Sequence, residues 1–198
     1  IDSGDIQVAS LLGLHFGNLG SSGSVSLADS AGTRSDSLTV TGTTGHDTWT
    51  LAATNGTLTL NGQVPIATPG ITTVTLSDTD GNDTFEVRAP QPYTAIMFSG
   101  GQGGDIATVV GTTAADVVSV DLGIGHVDIA STVQLQNIES LHIDGNGGDD
   151  TIDLDGAGQS SDLADVHVVA AAASGSDLNV FGTSGEETFH VTPTSDGA

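Results

Sequence analysis

The chain has 198 residues, a length typical of one domain, and its 25 acidic and 2 basic residues give a formal net charge of −23. Its only basic side chains are Arg34 and Arg88. They cannot supply the basic stripe of a nucleic-acid binder or the cationic face of an amphipathic membrane anchor. No apolar run approaches the roughly 18 residues of a membrane-spanning helix, and the lack of cysteine excludes disulfides and thiolate metal sites.

Residues 1–24 do not share the pattern of the rest of the chain. They contain an apolar stretch at residues 6–14 and predict an N-terminal cap or a degenerate first coil, because the end of a repeat array needs covering. Since the chain starts at Ile1 without a signal-peptide pattern, we expect a processed subunit or an excerpt of a longer protein.

A turn followed by a short strand recurs five times within residues 25–198, near 42–51, 78–87, 111–120, 145–154 and 182–191. Successive units start about 35 residues apart, a period typical of repeat architectures. Apolar and polar residues alternate in the strands, as around Phe85 and Val87, which is typical of β-strands. Gly42, Gly111 and Gly182 mark every second turn and follow similar strands, so the units pair into longer repeats.

This periodicity predicts an all-β fold, a parallel β-solenoid (β-helix). Its coils of about 35 residues would each hold three short strands and pair into repeats of about 70 residues. Stacked coils would align one apolar column: Trp49, Phe85, Val118, Ile152 and Phe189. An antiparallel β-sandwich is the alternative, because residues 74–85 also fit a hairpin around Asp80-Gly81.

The same stacking predicts a column of carboxylates about 5 Å apart, formed by Asp47, Asp83, Asp116, Asp150 and Glu187. Neighbours at that distance repel by about 1 kcal/mol even in water, and a hard divalent cation with oxygen ligands would relieve the repulsion. We therefore predict Ca²⁺ ligands among Asp78, Asp80, Asp83, Asp144, Asp149, Asp150, Asp105 and Asp47. The competing interpretation is that each aspartate accepts N–H groups of its own turn, which best suits Asp47, Asp116 and Glu187.

Two of the turns carry a resemblance to a known family. Gly100-Gly-Gln-Gly103-Gly-Asp105 and Gly145-Asn-Gly-Gly148-Asp-Asp150-Thr-Ile152 resemble the calcium-binding nonapeptide G-G-x-G-x-D-x-U-x of RTX, or hemolysin-type, proteins. The family repeats this motif in tandem, whereas here it recurs once per coil. Residues 137–152 are similar to repeats of giant bacterial secreted and cell-surface, adhesin-like proteins. The resemblance implies calcium and an extracellular or cell-surface location.

The predicted function is structural: a calcium-stabilised repeat segment of an extracellular fibre, surface layer or giant adhesin-like protein. Its predicted partners are other copies or other segments of the same protein, which would stack at the solenoid ends. A module that binds cell-surface glycans is the alternative, which exposure of Tyr93 and Trp49 on one face would favour.

A polysaccharide-acting enzyme is not expected. Lysine is absent, and the acidic clusters repeat with the coil, whereas an active site should interrupt the repeat. The six histidines lie in different registers and predict no pair; His46 beside Asp47 is the one conceivable transition-metal position.

Overall fold

The computed structural model describes residues 4–8, 12–16, 25–27, 36–63, 65–156, 162–170 and 175–183. These residues form eighteen strands and no helix, which confirms the all-β class. None of them belongs to a helix that is long and apolar enough to cross a membrane. The strands are β1 Gly4–Val8, β2 Leu12–Phe16, β3 Val25–Ser26, β4 Asp36–Thr41, β5 Thr48–Leu51, β6 Leu58–Leu60, β7 Ile66–Ala67, β8 Ile71–Ser77, β9 Thr84–Arg88, β10 Ala95–Ser99, β11 Ile106–Val110, β12 Val117–Asp121, β13 His126–Asp128, β14 Thr132–Gln136, β15 Ser140–Asp144, β16 Thr151–Asp155, β17 Asp165–Val169 and β18 Asp177–Phe181.

Sixteen of the strands form two mixed sheets of eight. Sheet I has the order β4-β8-β10-β14-β13-β12-β16-β18, and sheet II has the order β3-β7-β6-β5-β9-β11-β15-β17. The strands β1 and β2 form a separate antiparallel hairpin in the region predicted as a cap. The other residues of that region lie outside the described residues.

From β7 to β12 the chain changes sheet at every strand. Strands next to one another in a sheet are therefore mostly parallel, and the sequence spacing between their paired residues varies. Thr73 of β8 pairs with Ala95 of β10, whereas Thr48 of β5 pairs with the more distant Thr84 of β9. Within the described parts of the two sheets, antiparallel pairs occur only in two three-stranded meanders, β5–β7 and β12–β14.

The meanders reveal the true repeat. The first starts at Thr48 and the second at Val117, two of the predicted coils later. Each repeat contains seven strands, β5–β11 and β12–β18, and five changes of sheet separate the start of one from the start of the next. Because five is odd, the first meander lies in sheet II and the second in sheet I.

The two sheets share one hydrophobic core. Side chains along the strands alternate between buried and more exposed positions, as in β9 and β16. Trp49 stacks on Phe85 within sheet II, with ring centroids 6.2 Å apart and planes 3° apart. Phe85 also stacks on Phe98 of sheet I at 5.1 Å, so aromatic side chains join the inner faces of the two sheets.

The register corrects three details of the sequence prediction. Residues 71–77 and 84–88 lie in different sheets, so no hairpin forms around Asp80-Gly81. The two halves of a repeat contain four and three strands instead of three each. The predicted apolar and acidic columns are each divided, because β5 and β9 lie in sheet II while β12 and β16 lie in sheet I. Residues 184–191 of the fifth predicted turn, which include Glu187 and Phe189, lie outside the described residues, as does Arg34.

Candidate metal centre

The turns that join the sheets share a pattern of glycine and, five positions later, aspartate. It occurs at Gly42/Asp47, Gly100/Asp105, Gly111/Asp116 and Gly145/Asp150. In each case the aspartate immediately precedes a strand and its side chain folds back against the glycine. A Cβ on Gly100 would lie 2.2 Å from Asp105 Oδ2, and one on Gly145 would lie 2.1 Å from Asp150 Oδ2. Glycine is required because a side chain there would displace the carboxylate.

The aspartates of neighbouring strands are linked by hydrogen bonds from the backbone of one to the side chain of the next. In sheet II, Asp47 N–H donates to Asp83 Oδ1 at 2.8 Å, and Asp83 N–H donates to Asp105 Oδ1 at 2.7 Å. In sheet I, Asp116 N–H donates to Asp150 Oδ1 at 3.0 Å. The carboxylates thus continue the parallel ladder beyond the strand ends.

Asp47 and Asp116 also act within their own turns. Thr43 donates its N–H (2.6 Å) and its hydroxyl (2.8 Å) to Asp47 Oδ2. Thr112 donates to Asp116 Oδ2 in the same way, at 2.6 and 3.0 Å. Both aspartates therefore accept donors of their own turns, as the turn-capping interpretation expects.

One turn departs from the pattern, because Asp78 takes the place of its glycine. The Asp78 side chain extends toward the neighbouring turn, where a Cβ on Gly42 would lie 2.2 Å from Asp78 Oδ2 and 2.8 Å from Asp47 Oδ2. Trp49 Nε1–H donates to Asp78 Oδ2 at 3.0 Å. As a result Asp47, Asp78 and Asp83 each bring one carboxylate oxygen within 4.8 Å of the others. We call these three residues the aspartate triad.

The aspartate triad is buried, with exposed fractions of 2% for Asp47, 4% for Asp78 and 1% for Asp83. Two charges about 4.8 Å apart repel by about 3 kcal/mol at an effective dielectric constant of 20. Among the described residues the only lysine or arginine side chain is that of Arg88, which pairs with Glu86 at 2.6 Å. No ammonium or guanidinium group therefore offsets the charge of the triad within that part of the chain.

The pKa values of the triad reflect this confinement. Burial, reinforced by the charges of Asp83 and Asp47, raises the pKa of Asp78 to about 6 despite the bonds from Trp49 and Thr79. Burial also raises the pKa of Asp83, and the charge of Asp47 adds to the effect. For Asp47 burial acts in the same direction, but hydrogen bonds from Thr43 and Asn61 outweigh it and lower the pKa. Asp47 therefore ionises readily, whereas Asp78 and Asp83 resist ionisation.

The donor set fits a hard cation. Asp83 Oδ2 is buried and has no hydrogen-bond partner, and such an orphaned acceptor costs free energy unless a ligand satisfies it. Oxygens bound at about 2.3–2.6 Å to one Ca²⁺ lie up to about 5 Å apart. The three oxygens of the triad, within 4.8 Å of one another, can therefore share one ion.

The other predicted ligands do not join the triad. Asp80 and Asp149 are exposed, and half-buried Asp144 accepts the N–H of Asn146 at 2.9 Å. Asp105 and Asp150 are buried, each with an unpartnered Oδ2. Within the described ranges, the aspartate triad is the one group of three potential ligands that meets.

The second repeat contains the counterpart of the triad without its key residue. Its equivalents are Asp116, Gly145 and Asp150, so glycine stands where the first repeat has Asp78. Val118 likewise stands where the first repeat has Trp49, and it offers no N–H donor. The pairing of Trp49 with Asp78 was not predicted, and an aspartate at a glycine position was the only signal for it in the sequence.

The expectation that no histidines pair is wrong. His142 of β15 and His167 of β17 are in-register neighbours, with ring centroids 5.5 Å apart. His46 instead lies at the turn, where its Nδ1 is 2.9 Å from the backbone N of Asn82, an N–H donor. The pairing could not be predicted because the spacing from β15 to β17 is shorter than the coil of about 35 residues that the turns indicate.

Comparison with known proteins gives no relative: no protein-family model, curated protein or solved structure matches the chain.

Proposed function

We propose that this chain is a structural β-solenoid segment of an extracellular fibre, surface layer or large adhesin-like protein, and that Ca²⁺ stabilises it. The observation that carries the proposal is the buried aspartate triad with its orphaned Asp83 Oδ2 and no lysine or arginine partner among the described residues. A fold that retains such a cluster gains stability when a cation binds only its native state. At a Ca²⁺ concentration about 100 times the dissociation constant, the gain is about 2.7 kcal/mol.

The parallel register supports the solenoid part of the proposal. Strands return to the same sheet beside their predecessors, at spacings within the roughly 20–50 residues typical of solenoid repeats. Each coil leaves apolar residues for the next coil to cover. At the β18 edge, Leu178 and Val180 continue the columns of Ile152 and Leu154 yet are 52% and 50% exposed.

Another coil, from a second copy or from another segment of the same protein, is the partner we propose for that edge. Sheet edges and exposed apolar side chains favour such addition. A net charge of −23 keeps such rods apart in solution unless cations bridge them.

The glycan-binding alternative receives no support from the aromatic residues. Trp49 is fully buried and Tyr93 is 2% exposed. The Tyr93 hydroxyl donates to the carbonyl of Gly56 at 2.6 Å and also lies 2.6 Å from Thr68 Oγ1. Both aromatics serve the core, and the proposal assigns no catalytic role to any residue.

The test is a Ca²⁺ titration of the chelator-treated chain, followed by the fluorescence of Trp49. Since this is the sole tryptophan and it donates to Asp78, ligation of Asp78 changes the surroundings of the indole directly. We expect a saturable change, a parallel rise in melting temperature by circular dichroism, and little response to Mg²⁺. A melting temperature and emission spectrum that are the same in Ca²⁺ and in chelator would refute the calcium proposal.

A further inference from the structure

A pair of histidines lies on the outward face of sheet II, separate from the aspartate triad. His142 and His167 occupy matching positions on the parallel strands β15 and β17. Their neighbours Leu141 and Ile143 are buried, so the histidines point away from the core. His142 is half-buried and His167 is exposed, which leaves the imidazoles open to ligands from solvent.

Two carboxylates flank the pair on the same face. Asp144 lies two positions after His142, and Asp165 lies two positions before His167. Same-face neighbours along a strand are about 6.6 Å apart between Cα atoms, a distance that their side chains can span. All four side chains, with Thr108 and Val169 (46% exposed), line one open depression of about 380 Å³.

The separation of the rings matches a shared metal ion. A metal bound to a ring nitrogen at about 2.0–2.1 Å lies about 3.2 Å from the centre of that imidazole. Two such rings at a tetrahedral angle have centres about 5.2 Å apart, and the observed separation is 5.5 Å. The two ring planes are inclined by 59° to each other. The rings are therefore not stacked face to face. A face-to-face stack would turn their nitrogens away from a common point.

We propose that His142 and His167 bind a divalent transition-metal ion of the Zn²⁺, Cu²⁺ or Ni²⁺ class. The two imidazoles are the protein ligands and water fills the remaining positions, while Asp144 and Asp165 in the same depression add negative charge that favours a cation. Imidazole nitrogens prefer these ions, whereas Ca²⁺ prefers oxygen. The chain therefore has separate sites for two classes of cation, and this site does not depend on the aspartate triad.

The test is a calorimetric titration of the 198-residue chain with ZnCl₂ at pH 7.5. An excess of CaCl₂ is present so that the acidic turns and surface carboxylates are already occupied. We expect one strong Zn²⁺ site per chain. His142→Gln and His167→Gln should each weaken it by more than about tenfold. The control is His126→Gln on sheet I, whose imidazole contacts Gln134, and it should keep the wild-type affinity.

Two further measurements make the result decisive. Both histidines lie on the outward face of the sheet, where substitutions change stability little, so melting curves should show both variants folded. With Cu²⁺, electron paramagnetic resonance should show two nitrogen ligands in the wild-type chain and fewer in either variant. Equal Zn²⁺ affinity in the wild-type chain and a folded His142→Gln or His167→Gln variant would overturn the proposal, as would an equal loss in His126→Gln.

Discussion

Replacement of Asp78 by asparagine should stabilise the metal-free protein and weaken its response to calcium. The amide keeps an oxygen that accepts the Trp49 N–H, and it removes the charge that repels Asp47 and Asp83. In chelator at pH 7.5 the wild-type chain must ionise Asp78 in a buried site. The variant avoids that cost, but in calcium it lacks one carboxylate ligand.

The size of the effect follows from the pKa of Asp78. A rise from 3.8 to about 6 corresponds to about 3 kcal/mol at about 1.36 kcal/mol per unit. We take roughly half of this, because solvent screens the charge and the new amide must find its own acceptors. For a chain of this size that stabilisation raises the melting temperature of the chelated protein by about 3 to 6 °C.

The pH dependence has a defined sign. Between pH 3.8 and about 6 the native wild-type chain binds more protons at Asp78 than the unfolded chain does. Its stability in chelator is therefore highest at the low end of this window and falls as pH rises through about 6. The raised pKa values of Asp83 and Asp105 act in the same direction. The stability of the Asp78→Asn variant in chelator should therefore still fall as pH rises, but less steeply than that of the wild-type chain.

The assay is a set of thermal melts at pH 4.5, 6 and 7.5, in chelator and in calcium. Asp80→Asn is the matched control, because it makes the same charge change two positions away at an exposed site outside the triad. We expect Asp78→Asn to melt above the wild-type chain in chelator and below it in calcium, while Asp80→Asn follows the wild-type chain. An Asp78→Asn variant that is less stable in chelator at pH 7.5, with an unchanged pH slope, would show that the triad is not electrostatically strained.

Three other substitutions test the turns. Gly103→Ala should destabilise the chain by more than about 3 kcal/mol, because its Cβ would lie 1.5 Å from the carbonyl oxygen of Gly81 at a φ of +152°. Gly62→Ala, with a φ of +63° and open space around it, should cost only about 1–2 kcal/mol. Urea unfolding measures the stability of both glycine variants, and equal losses would contradict the packing argument. Asp116→Ala should cost about 1–2 kcal/mol through its lost turn bonds and leave the calcium-induced rise in melting temperature intact, whereas loss of that rise would place a cation at Asp116.

The strands were predictable because their signals are local. Alternation of apolar and polar residues located β5, β9, β12 and β16. The allocation of strands to sheets was not predictable in the same way. A periodicity of about 35 residues is equally compatible with neighbours in one sheet and with strands in opposite sheets, and the count of sheet changes decides between them.

The site shows the same division between local and long-range information. Asp47 and Asp83 were placed in one column because they occupy equivalent turn positions, and the structure keeps them together. Asp80 and Asp149 were included because they are close in sequence to other acids, yet neighbouring residues in a turn point in different directions. Asp78 meets Asp47 only because a parallel strand pair brings the two turns together, and no local pattern specifies that contact.

The odd number of sheet changes in each seven-strand repeat has a consequence for any longer array built from it. A duplicated repeat places its copy of the meander in the opposite sheet, and the original sheet is reached again only after two full repeats, the sequence spacing from Gly42 to Gly182. Insertion or deletion of one repeat would therefore move every downstream strand and loop from one sheet to the other. Peptides grafted into the loops that follow β6 and β13 would be displayed in opposite directions, so a single chain of this kind is already two-sided.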